Sequence, residues 1–182
     1  MKKLIAEKDD LIEMLKKLLI FQSLSESAFN ELYNYCNFLE FEDNETIVTQ
    51  DTLSPFLYGL LEGNVNILMK SQENKDIHVN EVGTGDIFGE AAIFLDMKRT
   101  ASVIANGSVK LASISREKLI GFVNKFPESG IKILIFIIFS LLHKLKRSSD
   151  DLVFEKESTV SADDLETLKK FFPPTIEEVI AH

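Results

Sequence analysis

Glu90 and Arg99 are the two side chains of this sequence best placed to do chemistry together, because both fall in the glycine-punctuated stretch Gly83 to Val103. Gly83, Gly85 and Gly89 allow positive φ and close approach of backbone to a ligand. Ala91 to Phe94 suits a single helical turn whose free N–H groups carry partial positive charge. Arg99 stands ten residues beyond Gly89, just ahead of Ala101, Val103 and Ala105, so a loop can fold its guanidinium back over that turn. One arginine with backbone amides matches a singly charged phosphate diester. A nucleoside triphosphate would ask for a P-loop lysine and magnesium ligands, and the sequence has no G-x-x-x-x-G-K-[ST]. Taken alone, Gly83 and Gly85 read as turn residues, and an acid and a base at this separation as exposed charges. Their joint placement, Glu after a turn-opening glycine and Arg before a strand, is what marks an anion site.

Other chemistry is sparse. His78, His143 and His182 stand near neither Cys36 nor a carboxylate in a metal or nucleophile motif, so the sequence reads as a non-enzyme with no metal or cofactor. The net charge of −9 argues against a nucleic-acid partner, which would need a basic face. Residues 150–182 carry nine acids and three bases, so −6 of that charge sits in the tail. The single cysteine excludes an internal disulfide and fits a reducing compartment, with Cys36 read as a half-buried filler. Acidic residues at 7, 9, 10 and 13 interrupt any signal-peptide core, so a cytoplasmic location is expected. The most apolar run, Ile133 to Leu142, is about half of the roughly 20 residues a bilayer requires, so no membrane association is expected.

The elements that must position the pair follow from periodicity. With 182 residues, 45% of them hydrophobic, the chain suits one core plus a helical appendage. Leu4, Ile5, Leu11, Ile12, Leu15, Leu18 and Leu19 recur at helical spacing and predict an amphipathic helix over about 3–19. Ser23 and Glu26 form a capping-box pattern ahead of a second helix through Phe29, Leu32, Tyr33 and Cys36. From Phe38 the period shortens. Short runs separated by turn chemistry at Asp43-Asn44, Ser54-Pro55, Glu62-Gly63 and 71–76 predict a β roll, sandwich or barrel, closed by a hairpin at Asn106-Gly107. Ser115 is read as an N-cap, Pro127 as a break, and about 128–150 as one long helix. That helix is apolar almost all round, with one stripe at Ile131, Leu134, Ile138, Leu141 and Leu145 and another at Ile135, Phe139 and Leu142. One stripe is expected on the β domain and the other on a partner helix, most simply in a homodimer, or under the N-terminal helix. Short helices are expected after Ser161 and Thr175.

The segment Phe88-Gly-Glu-Ala-Ala…Arg99-Thr-Ala, together with Leu57-Tyr-Gly-Leu-Leu-Glu-Gly-Asn-Val, resembles the cyclic-nucleotide-binding domain family of bacterial catabolite activators, protein kinase A regulatory subunits and cyclic-nucleotide-gated channels. The resemblance runs from about Phe21 to Asp150. It implies a mainly β fold with flanking α-helices: a β-roll, or jelly-roll-like double-stranded β-helix, with N-terminal helices and a long C-terminal helix. The division that follows is an N-terminal helix at 1–20, the binding domain with its lid or dimer helix at 21–150, and an acidic tail at 151–182.

By the same resemblance Arg99 would pair with a cyclic phosphate and Glu90 would accept from the ribose 2′-OH. Gly89, Ala91, Ala92, Thr100 and Ala101 would complete the phosphate cradle. Ile67, Val79 and Val82 would lie against the base, and Ser148 and Ser149 would reach it from the long helix. The ligand implied is cAMP ahead of cGMP, which the Thr100 hydroxyl could also serve. The chain departs from the family at Asp51, where glycine is common, and at Ala91, where a bulky aliphatic is common. The function expected is a cytoplasmic receptor that signals by moving its C-terminal helix, through a dimer or an effector protein. The alternative is a β-roll without ligand that acts as a protein-interaction or scaffold domain.

Overall fold

The computed structural model describes residues 1–71, 75–95 and 97–150, the side chains of 147–150 excepted. In chain order the strands are β1 (Lys2–Lys3), β2 (Asn37–Phe41), β3 (Thr46–Val48), β4 (Phe56–Lys70), β5 (Asp76–Gly83), β6 (Ile87–Phe88) and β7 (Ser102–Ser115). The helices are α1 (Lys8–Lys16), α2 (Glu26–Tyr35), α3 (Ala91–Phe94), α4 (Arg116–Lys125) and α5 (Pro127–Asp150). Among the described residues the strands form one antiparallel sheet in the order β1-β2-β7-β4-β5, with β3 on β7 and β6 on β4. This is the expected β-roll with flanking helices.

Period-two alternation along β4 and β7 builds two cores. Leu57 and Leu61 of β4, with Ala112 and Ile114 of β7, face the helices. Tyr58 and Leu60, with Val109 and Leu111, face the interior of the roll. The helical core is dense: Leu15, Leu18, Leu32, Phe122, Ile133 and Ile137 are all 0% exposed, and each contributes about 1.5–3 kcal/mol by leaving water.

Both long strands run through glycine turns that the sequence reads as breaks. Gly63 (φ +91°) and Gly107 (φ +77°) sit where the β4–β7 register shifts, near the pairs Glu62–Lys110 and Asn64–Asn106. The extra residues are absorbed as bulges in strands that bend together, so no hairpin forms at Asn106-Gly107.

Two readings near the N-terminus are also corrected. The helix predicted over 3–19 is a short strand, then α1, then a 3-10 turn at Leu19–Phe21. Lys2 and Lys3 pair with Glu40 and Leu39, and Leu4 N–H donates to Phe38 O at 3.0 Å, so edge pairing outbids local helical propensity there. The cap of α2 is Ser25, which accepts from Ala28 N–H at 3.3 Å, rather than Ser23. Ser115 caps α4 as expected, accepting from Lys118 N–H at 3.3 Å.

The phase of α5 differs as well. Its buried face is Ile133, Phe136, Ile137 and Ser140, on the side of the helix that neither stripe read from the sequence covers. Ile131, Ile138, Leu142 and Leu145 remain 53–65% exposed. Small residues set this phase: Gly130 is buried so closely on α4 that a Cβ there would stand 2.8 Å from Val123 Cα. The helices read after Ser161 and Thr175 lie outside the described residues.

Candidate binding site

The site forms where β6 ends and its chain turns into α3. Ala91 to Phe94 form the expected helical turn, and Glu90 stands immediately before it. Although ionisable, Glu90 is only 4% exposed. Its Oε1 accepts from Ser140 Oγ at 3.1 Å and from Lys144 Nζ, both on α5. A carboxylate is tolerated at this depth because charged and polar donors replace its water.

Arg99 is 6% exposed and comes from the loop before β7. Its Nη1 donates to Gly89 O at 3.3 Å, and its Nη2 donates to Phe56 O at 2.7 Å and Ser54 Oγ at 3.5 Å. The Tyr58 ring lies 5.7 Å from the guanidinium carbon. Burial presses the Arg99 pKa below its ordinary value, against the opposing pull of Tyr58 and Glu90. The group stays cationic at any working pH. Its Nε is buried with no hydrogen-bond partner among the described residues. A buried orphan donor costs about 1–3 kcal/mol, so this arginine holds unused capacity for an acceptor.

The Arg99 backbone is fixed by the turn at Asp51. Asp51 N–H donates to Arg99 O at 2.9 Å, and Arg99 N–H donates to Thr52 O at 2.8 Å. Asp51 has φ +64°, so it occupies the left-handed conformation that suits glycine, and aspartate is among the few side chains that accept it.

A cavity of about 230 Å³ joins these groups, and Gly89, Glu90, Ala91, Ala92, Arg99, Thr100 and Ala101 all line it. Its apolar wall is Ile67 with Val48 and Val103, and α5 adds Leu141 and Lys144. Two expected wall residues are elsewhere. Val79 is skipped in the β4–β5 register, where Ile67 faces Asn80 and Leu68 faces His78, and it turns 52% of its surface to solvent. Val82 pairs with Val65 inside the roll core. Ser148 and Ser149 continue the backbone of α5, but their side chains lie outside the described residues.

Five residues that the sequence reading missed support the site. Val48 and Val103 could have been found from strand alternation, and Ser140 and Lys144 as the polar members of the buried face of α5. Arg116 gave no sequence signal, because its partners are backbone. Its Nε donates to Ile93 O at 2.7 Å, and its Nη2 donates to Ala92 O and Leu95 O at 2.9 Å each. It thus caps the C-terminal end of α3 from the first turn of α4.

Residues 38–126 match the family model described as cyclic nucleotide-binding domain. A solved cyclic nucleotide-binding domain from Methylobacillus flagellatus is similar at 24% identity and a TM-score of 0.67, over 84% of this chain and 86% of that one. The regulatory domain of Toxoplasma gondii protein kinase A, solved with cAMP, is similar at 25% identity and a TM-score of 0.58, over 64% of this chain. The regulatory subunit of a cAMP-independent protein kinase A from Trypanosoma brucei is similar at 24% identity and a TM-score of 0.61, over 70% of this chain. The chain spans 45% of the length of each of these two kinase structures.

Proposed function

Through residues 38–126 this chain belongs to the cyclic nucleotide-binding domain family, and from that premise we propose that it is a cytoplasmic receptor for a cyclic nucleotide, cAMP in preference to cGMP. The observation that carries this reading is that Glu90 and Arg99, both buried, border one cavity with an apolar wall. Arg99 and the N–H groups around Gly89 to Ala92 suit a singly charged cyclic phosphate. Glu90 suits a ribose hydroxyl, and Val48, Ile67 and Val103 suit the flat apolar remainder. Occupancy would be reported through α5, which already touches the cavity with Leu141 and Lys144. A ligand shifts such a helix only if it contacts the helix differently in the two positions.

Thermal unfolding with each nucleotide tests the reading. At about one hundred times Kd a ligand adds roughly 2.7 kcal/mol of stability. Stabilisation by cAMP above cGMP, lost in Arg99→Lys, is the result expected. No stabilisation of the folded protein by either nucleotide sinks it.

A homodimer is the partner that best fits α5. Ile131, half-buried Ile135, Ile138, Leu142 and Leu145 are spaced 4, 3, 4 and 3 apart, the seam of a two-stranded coiled coil. Sedimentation should give a dimer that Ile138→Glu converts to monomer.

The same exposed seam favours a second reading, a β-roll without ligand that docks an effector protein. Nucleotide-insensitive stability with an intact fold would select it.

A further inference from the structure

We propose that the acidic run Asp163, Asp164 and Glu166 docks in a lysine-rimmed groove beside β1, β2 and α2, so that the domain holds its own C-terminal segment at a place distinct from the nucleotide cavity. The inference does not depend on the receptor reading. The groove measures about 560 Å³ and is walled by Lys3, Tyr33, Asn34, Asn37, Phe38 and Leu39, with buried Cys36 also in its lining. It shares no lining residue with the cavity at Glu90. Three cations from three elements meet there. Lys3 of β1 lines the groove. Lys118 of α4 donates to Asn37 Oδ1 at 3.4 Å and lies within electrostatic reach of Cys36. Lys8 of α1 stands 5.3 Å from the centre of the Tyr33 ring. Among the described residues no carboxylate lines the groove. Glu31 of α2 and Glu40 of β2 are close in sequence but answer other cations, Lys125 and Lys2.

Charge decides what the groove fits. Lys2, Lys16, Lys110, Lys125 and Lys144 each hold a carboxylate, whereas Lys3, Lys8 and Lys118 hold none among the described residues. Three uncompensated cations around Tyr33, Phe38 and Leu39 call for a segment with several carboxylates and an aliphatic side chain between them. The chain itself carries one: residues 150–182 have nine acids and three bases, and Asp163-Asp164-Leu165-Glu166 places three carboxylates and a leucine in four positions with no base among them. Residues 151–182 lie outside the described residues. The twelve residues 151–162 span up to about 40 Å when extended. A folded unit of 150 residues has a radius of gyration of about 15 Å, so the run can reach across the domain. Exposed ion pairs are individually weak and screened by salt, so the contact is one that salt loosens.

Zero-length carbodiimide coupling of the 182-residue protein tests this, because it joins a lysine to a carboxylate only where the two touch. Peptide mass spectrometry reads which pairs formed, and a mixture of isotopically light and heavy protein separates bonds within a chain from bonds between chains. The expected result is within-chain amides from Asp163, Asp164 or Glu166 to Lys3, Lys8 or Lys118, suppressed by high salt. Bonds from the run to Lys98, Lys144 or Lys146 instead, or none at all, overturn the proposal. Bonds found only between light and heavy chains overturn it too, and assign the groove to a second copy. A triple variant, Asp163→Asn with Asp164→Asn and Glu166→Gln, neutralises the run and leaves the described domain unaltered. In that variant an acetylating ester should modify Lys3 and Lys118 about threefold faster or more than in wild type, the combined effect of losing three exposed ion pairs. Lys17 and Lys70, which line neither the groove nor the nucleotide cavity, should keep their rates. Equal rates at Lys3 and Lys118 in the two proteins overturn the proposal.

Discussion

Gly89 and Arg99 share one seat: the Gly89 carbonyl accepts from Arg99 Nη1 at 3.3 Å, and a Cβ on Gly89 would stand 2.6 Å from that same nitrogen and 2.8 Å from Phe56 O. Gly89 also has φ +86°, which L side chains rarely adopt. Gly89→Ala should therefore cost about 1–2 kcal/mol in strain and push the guanidinium from its seat. Nucleotide affinity, read by calorimetry, should fall at least tenfold while circular dichroism stays that of a folded β protein.

The turn at Asp51 governs Arg99 from the backbone side. Asp51→Gly preserves the φ of +64° and should leave binding intact. Asp51→Val places a β-branched residue in that conformation and should lower stability by about 1–2 kcal/mol in a denaturant titration. Binding should weaken with it, since the two backbone hydrogen bonds between this turn and Arg99 would no longer be held.

Arg116 fixes the cassette without itself lining the cavity. Arg116→Ala removes donors from three carbonyls at the end of α3, and hydrogen bonds to charged groups are worth about 1.5–3 kcal/mol each. A loss of about 2–3 kcal/mol is expected, because water re-solvates part of that end. Arg116→Lys, a point charge without a fork, should recover less than half of it.

Asp86 gives a pH dependence of defined sign. Burial raises its pKa above the ordinary aspartate value, and Lys144 pulls it back down. The folded state thus holds the proton more tightly than the unfolded chain, so this group makes stability fall as pH rises from about 4 through its raised folded value. Asp86→Asn should raise Tm at pH 7 and make little difference near pH 3, where both states are protonated. An Asn variant no more stable than wild type at pH 7 would contradict this.

Burial pushes the Cys36 thiol up to about 12, with Lys118 a smaller opposing influence. At pH 8 the thiolate is then scarce and shielded, so iodoacetamide should label Cys36 only in denaturant. Labelling of the folded protein at a free-thiol rate would show that the α2–β2 junction opens.

The cassette was legible because its signals are local. Gly89, Glu90 and Arg99 lie within eleven residues of one another, the one-turn helix at Ala91 falls inside them, and the motif that carries the resemblance, Phe88 to Ala101, extends only one or two residues beyond them. The phase of α5 was not. A helix with leucine, isoleucine or phenylalanine on every side offers no contrast, and the choice was made at Gly130, Ser140 and Lys144, residues a hydrophobic stripe passes over. Val79 failed for a different reason. A single bulge inverts every later side chain on a strand, and nothing in Ile77 to Val82 announces where β5 slips against β4. The glycines at 63 and 107 misled in the opposite direction, because bends inside long strands use the same residues as turns between short ones.

β7 is the common neighbour of β2, β3 and β4, and it is the last strand among the described residues. On a ribosome, three upstream strands therefore wait without this shared partner until Ser115 has left the exit tunnel. Until then their edges present unpaired amides and the apolar faces of both future cores, the state in which strands find wrong neighbours. A nascent chain arrested before residue 102 should hence need a chaperone, whereas one extended past α4 holds every described strand of the sheet.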